Sequence, residues 1–328
     1  MNILVSIPTF RLDGQPSFLL KNLNGWKTQN IGNDNFIDVV LVDNLSTDHF
    51  YNFLVDFCKK NNSSNIKFHV LSLTDEHISG FQAFNLGIHA LKKNKHYDYI
   101  VYSADDVIMT KPDDLSTVLQ CFNKDSSIVS ARMDRDNCNW NFNGLYDAYF
   151  ESPMVVKLGE GPNGHFLVFS SFFIEKYNFK YPDIIIAWGN ESNLSFLCEA
   201  IDQKWLVCCK VLFHNGFVKE EKPHYKSENR GFKIHKNERS FDNIFIPGAS
   251  VGLGFMTWRG YAQYSPKMKR KEKAGDLGPW YPYDSNAYDE NGKCKNKEAM
   301  YNYILENLYS KNINYEQLLS RSKAYIGA

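Results

Sequence analysis

Residues 96–110 read HYDYIVYSADDVIMT, an apolar run that ends abruptly on two adjacent carboxylates. Tyr99, Ile100, Val101 and Tyr102 have the β-branched and aromatic character of a strand buried on both faces. Asp105 and Asp106 then fall where that strand leaves its sheet. In open α/β sheets ligands gather beyond the carboxyl ends of the strands, where carboxylates are placed to hold a divalent cation and a phosphate-bearing substrate. Two aspartates after a strand also occur in plain solvated loops, so the rest of the chain must decide between the readings.

Upstream of this stretch, strands and helices alternate. Residues 3–7 form a short apolar strand stopped by Pro8, and residues 18–26 have helical spacing. Residues 36–42 read as a second strand ending at Asp43. Residues 50–60 read as a helix with Phe50, Phe53, Leu54 and Phe57 on one face. Residues 68–73 give the third strand, and residues 80–91 a helix that turns Phe84, Ile88 and Leu91 inward. This β-α-β-α-β-α-β order predicts an α/β fold with a mostly parallel central sheet and helices on both faces. Downstream, residues 128–132 and 205–213 read as strands, and residues 299–308 and 315–324 as two terminal amphipathic helices.

Composition narrows the function classes. A chain of 328 residues with 43% hydrophobic and 15% aromatic content buries a full core. Lys plus Arg equals Asp plus Glu at 37 each, so no global charge draws it to nucleic acid or an anionic membrane. The one compact basic run, KMKRKEK at residues 267–273, reads as a solvated loop. Seven cysteines without paired metal-type spacing read as reduced, mostly buried thiols of a cytosolic protein. Met1 leads directly into the first strand, and no apolar run approaches the ~20 residues that span a bilayer. The expectation is a cytoplasmic protein without a transmembrane segment.

The strand ends exclude two common nucleotide sites. The first β-α connection, residues 8–14, is PTFRLDG, with no GxGxxG to bring a helix N-terminus onto a pyrophosphate. No GxxxxGK[ST] occurs, which argues against a P-loop kinase. The second connection, VDNLSTD at residues 42–48, places Asp43 at a strand end ahead of a capping cluster. A strand-end carboxylate is suited to accept from a base N–H or a ribose hydroxyl.

Four blocks in this order, VSIPTF, VVLVDNLSTD, SGFQAFNLGIHAL and YIVYSADDV, resemble the donor half of GT-A glycosyltransferases, especially the inverting glycosyltransferase family 2. The resemblance implies that Asp43 contacts the nucleobase and that Pro8 and Thr9 line the same pocket. Gly80, Asn85 and Gly87 match the block that shapes the nucleotide site. The family's Asp-x-Asp falls on Ser103, Ala104 and Asp105, so the first acid is replaced and Ala104 is the middle residue. Asp105 is then the implied metal ligand, Asp106 a helper through water or a loop cap, and His214 the histidine that completes the site. GHFLVFSSFFI at residues 164–174 resembles the start of the acceptor side, with His165 read first as structural. WGNESNLSFLCEAIDQKW resembles the Glu-Asp block below the acceptor. The catalytic base falls on Glu191, and the preceding acid is replaced by Asn190.

These implied roles describe a GT-A domain over residues 1–220 and a C-terminal α-rich extension over residues 221–328 that carries aromatic and basic loops. They imply Mn²⁺, or Mg²⁺, as cofactor. The implied donor is a nucleotide-sugar, UDP-linked before GDP-linked, and the acceptor a glycan or another hydroxyl. Transfer with inversion at C1 follows from attack opposite the leaving diphosphate. Two alternatives stay open: a sugar-1-phosphate nucleotidyltransferase, and an inactive nucleotide-sugar or glycan-binding protein suggested by Ser103 and Asn190.

Overall fold

The computed structural model describes residues 1–9, 17–75, 78–93, 95–124, 127–133, 149–151, 165–183, 194, 197–198, 200–215, 294–309 and 312–327. Its first half alternates as the hydrophobic pattern predicts. Strand β1 (Asn2–Thr9) precedes helix α1 (Ser17–Lys27), β2 (Phe36–Asp43) precedes α2 (Asp48–Asn61), and β3 (Ile66–Ser72) precedes α3 (Gly80–Lys92). The quoted stretch forms β4 (Tyr99–Ser103) and, after a turn, the two-residue β5 (Val107–Ile108). Helix α4 (Asp114–Leu119) leads towards β6 (Ile128–Met133), β7 (Tyr149–Glu151), β8 (Phe166–Ser170), α5 (Ser171–Tyr177) and β9 (Trp205–Asn215). Helices α6 (Lys297–Leu308) and α7 (Tyr315–Ser320) and strand β10 (Lys323–Tyr325) end the described chain.

The sheet order is β10-β3-β2-β1-β4-β8-β6-β9-β5, with β7 also paired to β9. Strands β3, β2, β1 and β4 are parallel. Beyond β4 the sheet is mixed, because β8 runs antiparallel to both β4 and β6, while β9 is parallel to β6. Alternate residues of the central strands feed two cores. Ile3, Val5, Ile7, Val39, Leu41, Val70 and Val101 face α1, α2 and α4 on one side. Leu4, Val40, Val42, Leu71, Ile100 and Tyr102 face α3, α5 and the C-terminal helices on the other. Each large apolar side chain so covered contributes about 1.5–3 kcal/mol.

Local signals set the helix ends. Thr47 caps α2 by accepting from the Phe50 N–H, and Ser79 and Gln82 form a reciprocal capping box at the start of α3. Helix α3 is buried nearly all round, because the sheet covers one side while Tyr181, Asp183 and Tyr315 cover the other. Gly87 is the close approach that permits this. A Cβ there would collide with Ser6 Oγ and lie 2.9 Å from Val40 Cγ1 and Val42 Cγ2.

The C-terminus departs from expectation. The pattern predicts a helix over residues 315–324, but α7 stops at Ser320 and β10 pairs antiparallel with β3. The edge of β3 offers unpaired backbone groups, and residues 323–325 satisfy them. Met300, Ile304, Tyr315 and Leu318 pack into the same core as α3, so these C-terminal elements cover the sheet. The expected boundary at residues 220 and 221 lies outside the described residues.

Cys58, Cys121, Cys198, Cys208 and Cys294 are buried, as expected. Among the described residues no helix is long and apolar enough to cross a membrane.

Candidate active site at the carboxyl ends of the strands

Register brings the candidate residues into one row. Pro8 pairs with Val42 and Thr9 with Asp43, and Asp43 in turn pairs with Ser72. On the other side of β1, Ser6 pairs with Tyr102, which places Asp105 three residues further along, beside Thr9. The side chains confirm this: Thr9 Oγ1 donates to Asp105 Oδ2 at 2.9 Å. The carboxyl ends of β1, β2, β3 and β4 therefore present Thr9, Asp43, Ser72 and Asp105 along one edge.

Asp43 is fully buried. Its Oδ1 accepts from the Ser46 N–H at 3.2 Å and its Oδ2 from Ser72 Oγ at 2.7 Å. Burial outweighs those bonds and raises its pKa above the ordinary value of 3.8. The chain then turns sharply, with Leu45 in the left-handed region at φ 68°. Asn44 holds the turn by exchanging two hydrogen bonds with the Ile78 backbone, just ahead of α3.

Asp105 and Asp106 are the central pair of a tight turn closed by the Val107 N–H on the Ala104 carbonyl at 3.3 Å. The Ala104 N–H donates to the His165 carbonyl at 2.8 Å. His165 is thus a neighbour of the acidic turn through its backbone, while burial pulls its imidazole pKa below the usual value. Strand β5 follows the turn directly and pairs antiparallel with β9, Val107 opposite Asn215 and Ile108 opposite His214. This pairing brings the His214 backbone, the part of that residue the structure describes, beside the acidic turn.

Ser103 occupies the first-acid position as a fully buried hydroxyl that donates to the Ala104 carbonyl. It faces Asn22, a residue the sequence reading missed. Asn22 is fully buried on α1, and its Nδ2 contacts Ser103 Oγ at 3.4 Å, the Ala104 carbonyl at 3.1 Å and the Val107 carbonyl at 2.6 Å. Its Oδ1 is buried and has no hydrogen-bond partner among the described residues, which costs about 1–3 kcal/mol. The available signal was an amide on the apolar helix face defined by Leu19, Leu23 and Trp26.

The predicted residues of α3 separate. Gly80 is exposed at the start of the helix, where among the described residues a Cβ would meet only the Tyr102 hydroxyl, at 4.0 Å. Asn85 is engaged within the protein. Its Oδ1 accepts from the Tyr181 N–H, and its Nδ2 donates to the Tyr181 carbonyl, Asp183 Oδ1 and the Tyr315 hydroxyl. With both ends of the amide engaged and 4% exposed, Asn85 fastens α3 to the 181–183 segment and to α7. Gly87 likewise serves helix–sheet packing.

Glu191 and Asn190 lie outside the described residues, as does the basic run at 267–273. Among the described residues no three His, Cys, Asp or Glu side chains cluster as a metal centre. A cavity of about 310 Å³ lined by His89, Lys92, Lys93 and Lys180 opens at the far end of α3. Its basic side chains already contact carboxylates: His89 and Lys93 meet Glu316, Lys92 meets Glu175, and Lys180 meets Asp183.

Comparison with known proteins bears on the fold and the family. No curated protein matches the chain by sequence. The solved structure of TarS from S. aureus superposes with a TM-score of 0.52 at 14% identity, over 83% of this chain and 47% of TarS. The chain therefore spans about half of that protein's length. TarS 1-349 in complex with UDP gives 0.55 at 12% identity, over 85% of this chain and 79% of that one. The mannosyltransferase PcManGT from Pyrobaculum calidifontis, in complex with GDP-Man and Mn²⁺, gives 0.52 at 13% identity, over 97% and 78%. These likenesses identify the fold as GT-A. The profile of Glycosyl transferase family 2 matches residues 5–192, more than half of the chain, and the chain belongs to that family.

Proposed function

We propose that this protein transfers a sugar from a nucleotide-diphosphate donor to an acceptor hydroxyl, assisted by a divalent cation and with inversion at C1. The observation that carries the reading is the row at the strand ends. A buried carboxylate at Asp43 and an acidic turn at Asp105 and Asp106 sit on one edge, with Thr9 bonded to Asp105 between them. Asp43 suits the base or ribose end of a nucleotide, and the acidic turn suits its diphosphate end.

The donor set fits a hard or borderline cation. Asp105 and Asp106 supply carboxylate oxygens, and the β5–β9 pairing puts His214 at the neighbouring backbone position. Asp105 and His214 would hold the ion, with Asp106 assisting. When bound, a cation of this kind neutralises charge on a departing diphosphate as a Lewis acid. Thr9 fixes the Asp105 carboxylate in place. Pro8, Ala104 and Gly80 form the wall against which the nucleotide lies, and Glu191 takes the proton from the attacking hydroxyl. UDP, UDP-GlcNAc and GDP-Man in the complexes of related structures support a nucleotide-sugar donor, UDP-linked before GDP-linked. A glycan or another hydroxyl compound is the acceptor class.

The test is a thermal-shift screen of UDP- and GDP-sugars with and without Mn²⁺, followed by measurement of donor hydrolysis. A ligand that binds only the folded state raises its melting temperature. A Mn²⁺-dependent shift with slow release of UDP or GDP supports the reading. A shift without turnover favours a binding protein, and no shift with any nucleotide-sugar overturns the assignment.

A further inference from the structure

We infer that Asn22 is a positioning residue for the metal, acting through the turn that carries Asp105 and Asp106; this rests on the cation role proposed above. The side-chain amide reaches across from α1 and donates to the carbonyls at both ends of the turn, Ala104 and Val107. Those are also the residues joined by the turn's own backbone bond. One amide therefore staples the first and last residues of a four-residue turn whose two central positions are the acids.

The orientation of that amide is fixed by its surroundings. Two carbonyls face it, and a flipped Asn22 would set its own oxygen against both. Its nitrogen is spread over three acceptors while its buried oxygen has no partner among the described residues. A leucine would continue the face of Leu19, Leu23 and Trp26 and avoid the unpaired oxygen. An amide kept under that penalty in an apolar helix face acts on what it donates to. From the other side Thr9 holds the Asp105 carboxylate itself, so backbone and side chain of the acidic turn are fixed from different elements. Asn22 touches neither donor nor metal in this scheme. It sets where the carboxylates point, as outer hydrogen-bond partners of metal ligands do.

The experiment measures Mn²⁺ uptake directly, by loss of the free-ion electron paramagnetic resonance signal on titration with the full chain, in the presence and absence of UDP. Asn22→Ala is expected to weaken Mn²⁺ binding by about tenfold or more, with UDP affinity in EDTA unchanged. Leu54→Ala, a cavity variant in α2 away from the turn, controls for general destabilisation and is expected to leave Mn²⁺ binding at the wild-type value. Asn22→Ser keeps a hydroxyl donor and replaces the alanine variant if that one does not fold; it is expected to bind Mn²⁺ more weakly than wild type. Wild-type Mn²⁺ affinity in the folded Asn22 variants, or an equal loss in Leu54→Ala, overturns the inference while leaving the cation reading intact. Absence of Mn²⁺ uptake by the wild-type protein overturns both, and is seen before any variant is made.

Discussion

Thr9 and Asp105, 96 residues apart in sequence, are joined by a 2.9 Å hydrogen bond that closes the gap between the ends of β1 and β4. Thr9 is 3% exposed, so its hydroxyl serves this bond rather than solvent. Thr9→Val keeps the shape and removes the donor. The expected cost is about 0.5–1.5 kcal/mol in Mn²⁺-dependent donor binding, roughly two- to tenfold, read by calorimetry. Asp105→Ala should abolish the Mn²⁺ dependence altogether. Equal donor affinity in EDTA and in Mn²⁺ for the wild-type protein would remove the cation from the scheme.

Gly87 predicts a different pattern. Its missing side chain lets α3 lie on β1 and β2, and a methyl there meets Ser6 Oγ and the Val40 and Val42 side chains. Gly87→Ala should lower stability by about 1–3 kcal/mol through overpacking, measured by denaturant unfolding. Nucleotide affinity of the folded fraction should stay at the wild-type value. A weaker affinity with normal stability would return Gly87 to the nucleotide site.

Why the fold was legible and parts of the site were not comes down to what each residue type signals. The run from Tyr99 to Ser103 is apolar on both sides because Ile100 and Tyr102 meet α3 while Val101 meets the opposite core. That double burial leaves a plain mark on sequence. Asn85 leaves an ambiguous one, since a buried amide in a helix reads alike whether it meets a nucleotide or Tyr181, Asp183 and Tyr315. Strand β10 leaves almost none, because three residues on a sheet edge need little more than backbone. Asn22 was visible as an amide on an apolar helix face, but its partners come from residues 81 to 85 positions away.

The network at Asp38 makes a prediction about acid stability. Asp38 is 4% exposed and accepts from His69 Nε2 at 2.7 Å, Lys95 Nζ at 3.0 Å and the Tyr97 hydroxyl at 2.8 Å. His69 Nδ1 accepts from the Gly327 N–H, which places the ring proton on Nε2, towards Asp38. Burial pushes the carboxyl pKa up, but the hydrogen bonds from His69, Lys95 and Tyr97 outweigh it and hold it below 3.8. A depressed carboxyl stabilises the fold above its unfolded pKa, and that stability is lost as pH falls through the folded value. Asp38→Asn should therefore destabilise by about 1.5–3 kcal/mol at neutral pH, the range for hydrogen bonds to a charged group. The difference from wild type should shrink below pH 3.8. A difference independent of pH would show that shape, not charge, is what Asp38 supplies.

For Glu191 the prediction separates chemistry from binding. A general base acts on the acceptor proton in the transition state, so Glu191→Gln should lower kcat by about 100- to 10,000-fold with donor affinity nearly unchanged. A carboxylate that merely favours a helix start would instead cost about 0.3–1 kcal/mol of stability and leave turnover intact. Rate, UDP affinity and melting temperature on this one variant distinguish the two outcomes.

Asp43 offers the sharpest test, because only one of its two candidate roles ties UDP affinity to its charge. Burial raises its pKa above 3.8, against the opposing bonds from Ser46 and Ser72, so the folded protein holds that proton more tightly than the unfolded chain does. The sign follows: stability falls as pH rises from 3.8 through the folded value, and above it the charged carboxylate carries a constant burial cost. Asp43→Asn removes that cost, and the melting temperature at neutral pH should hold or rise. If the carboxylate accepts from a base N–H, the same substitution weakens UDP binding by about 1.5–3 kcal/mol, the range for a hydrogen bond to a charged group. Wild-type UDP affinity should then decline on acidification at a pH above 3.8, while the variant shows no such decline. If Asp43 only organises the Ser46 turn and Ser72, the substitution leaves UDP affinity and its pH profile untouched. Calorimetry across acidic pH, paired with melting curves of the same two proteins, decides which role this carboxylate has.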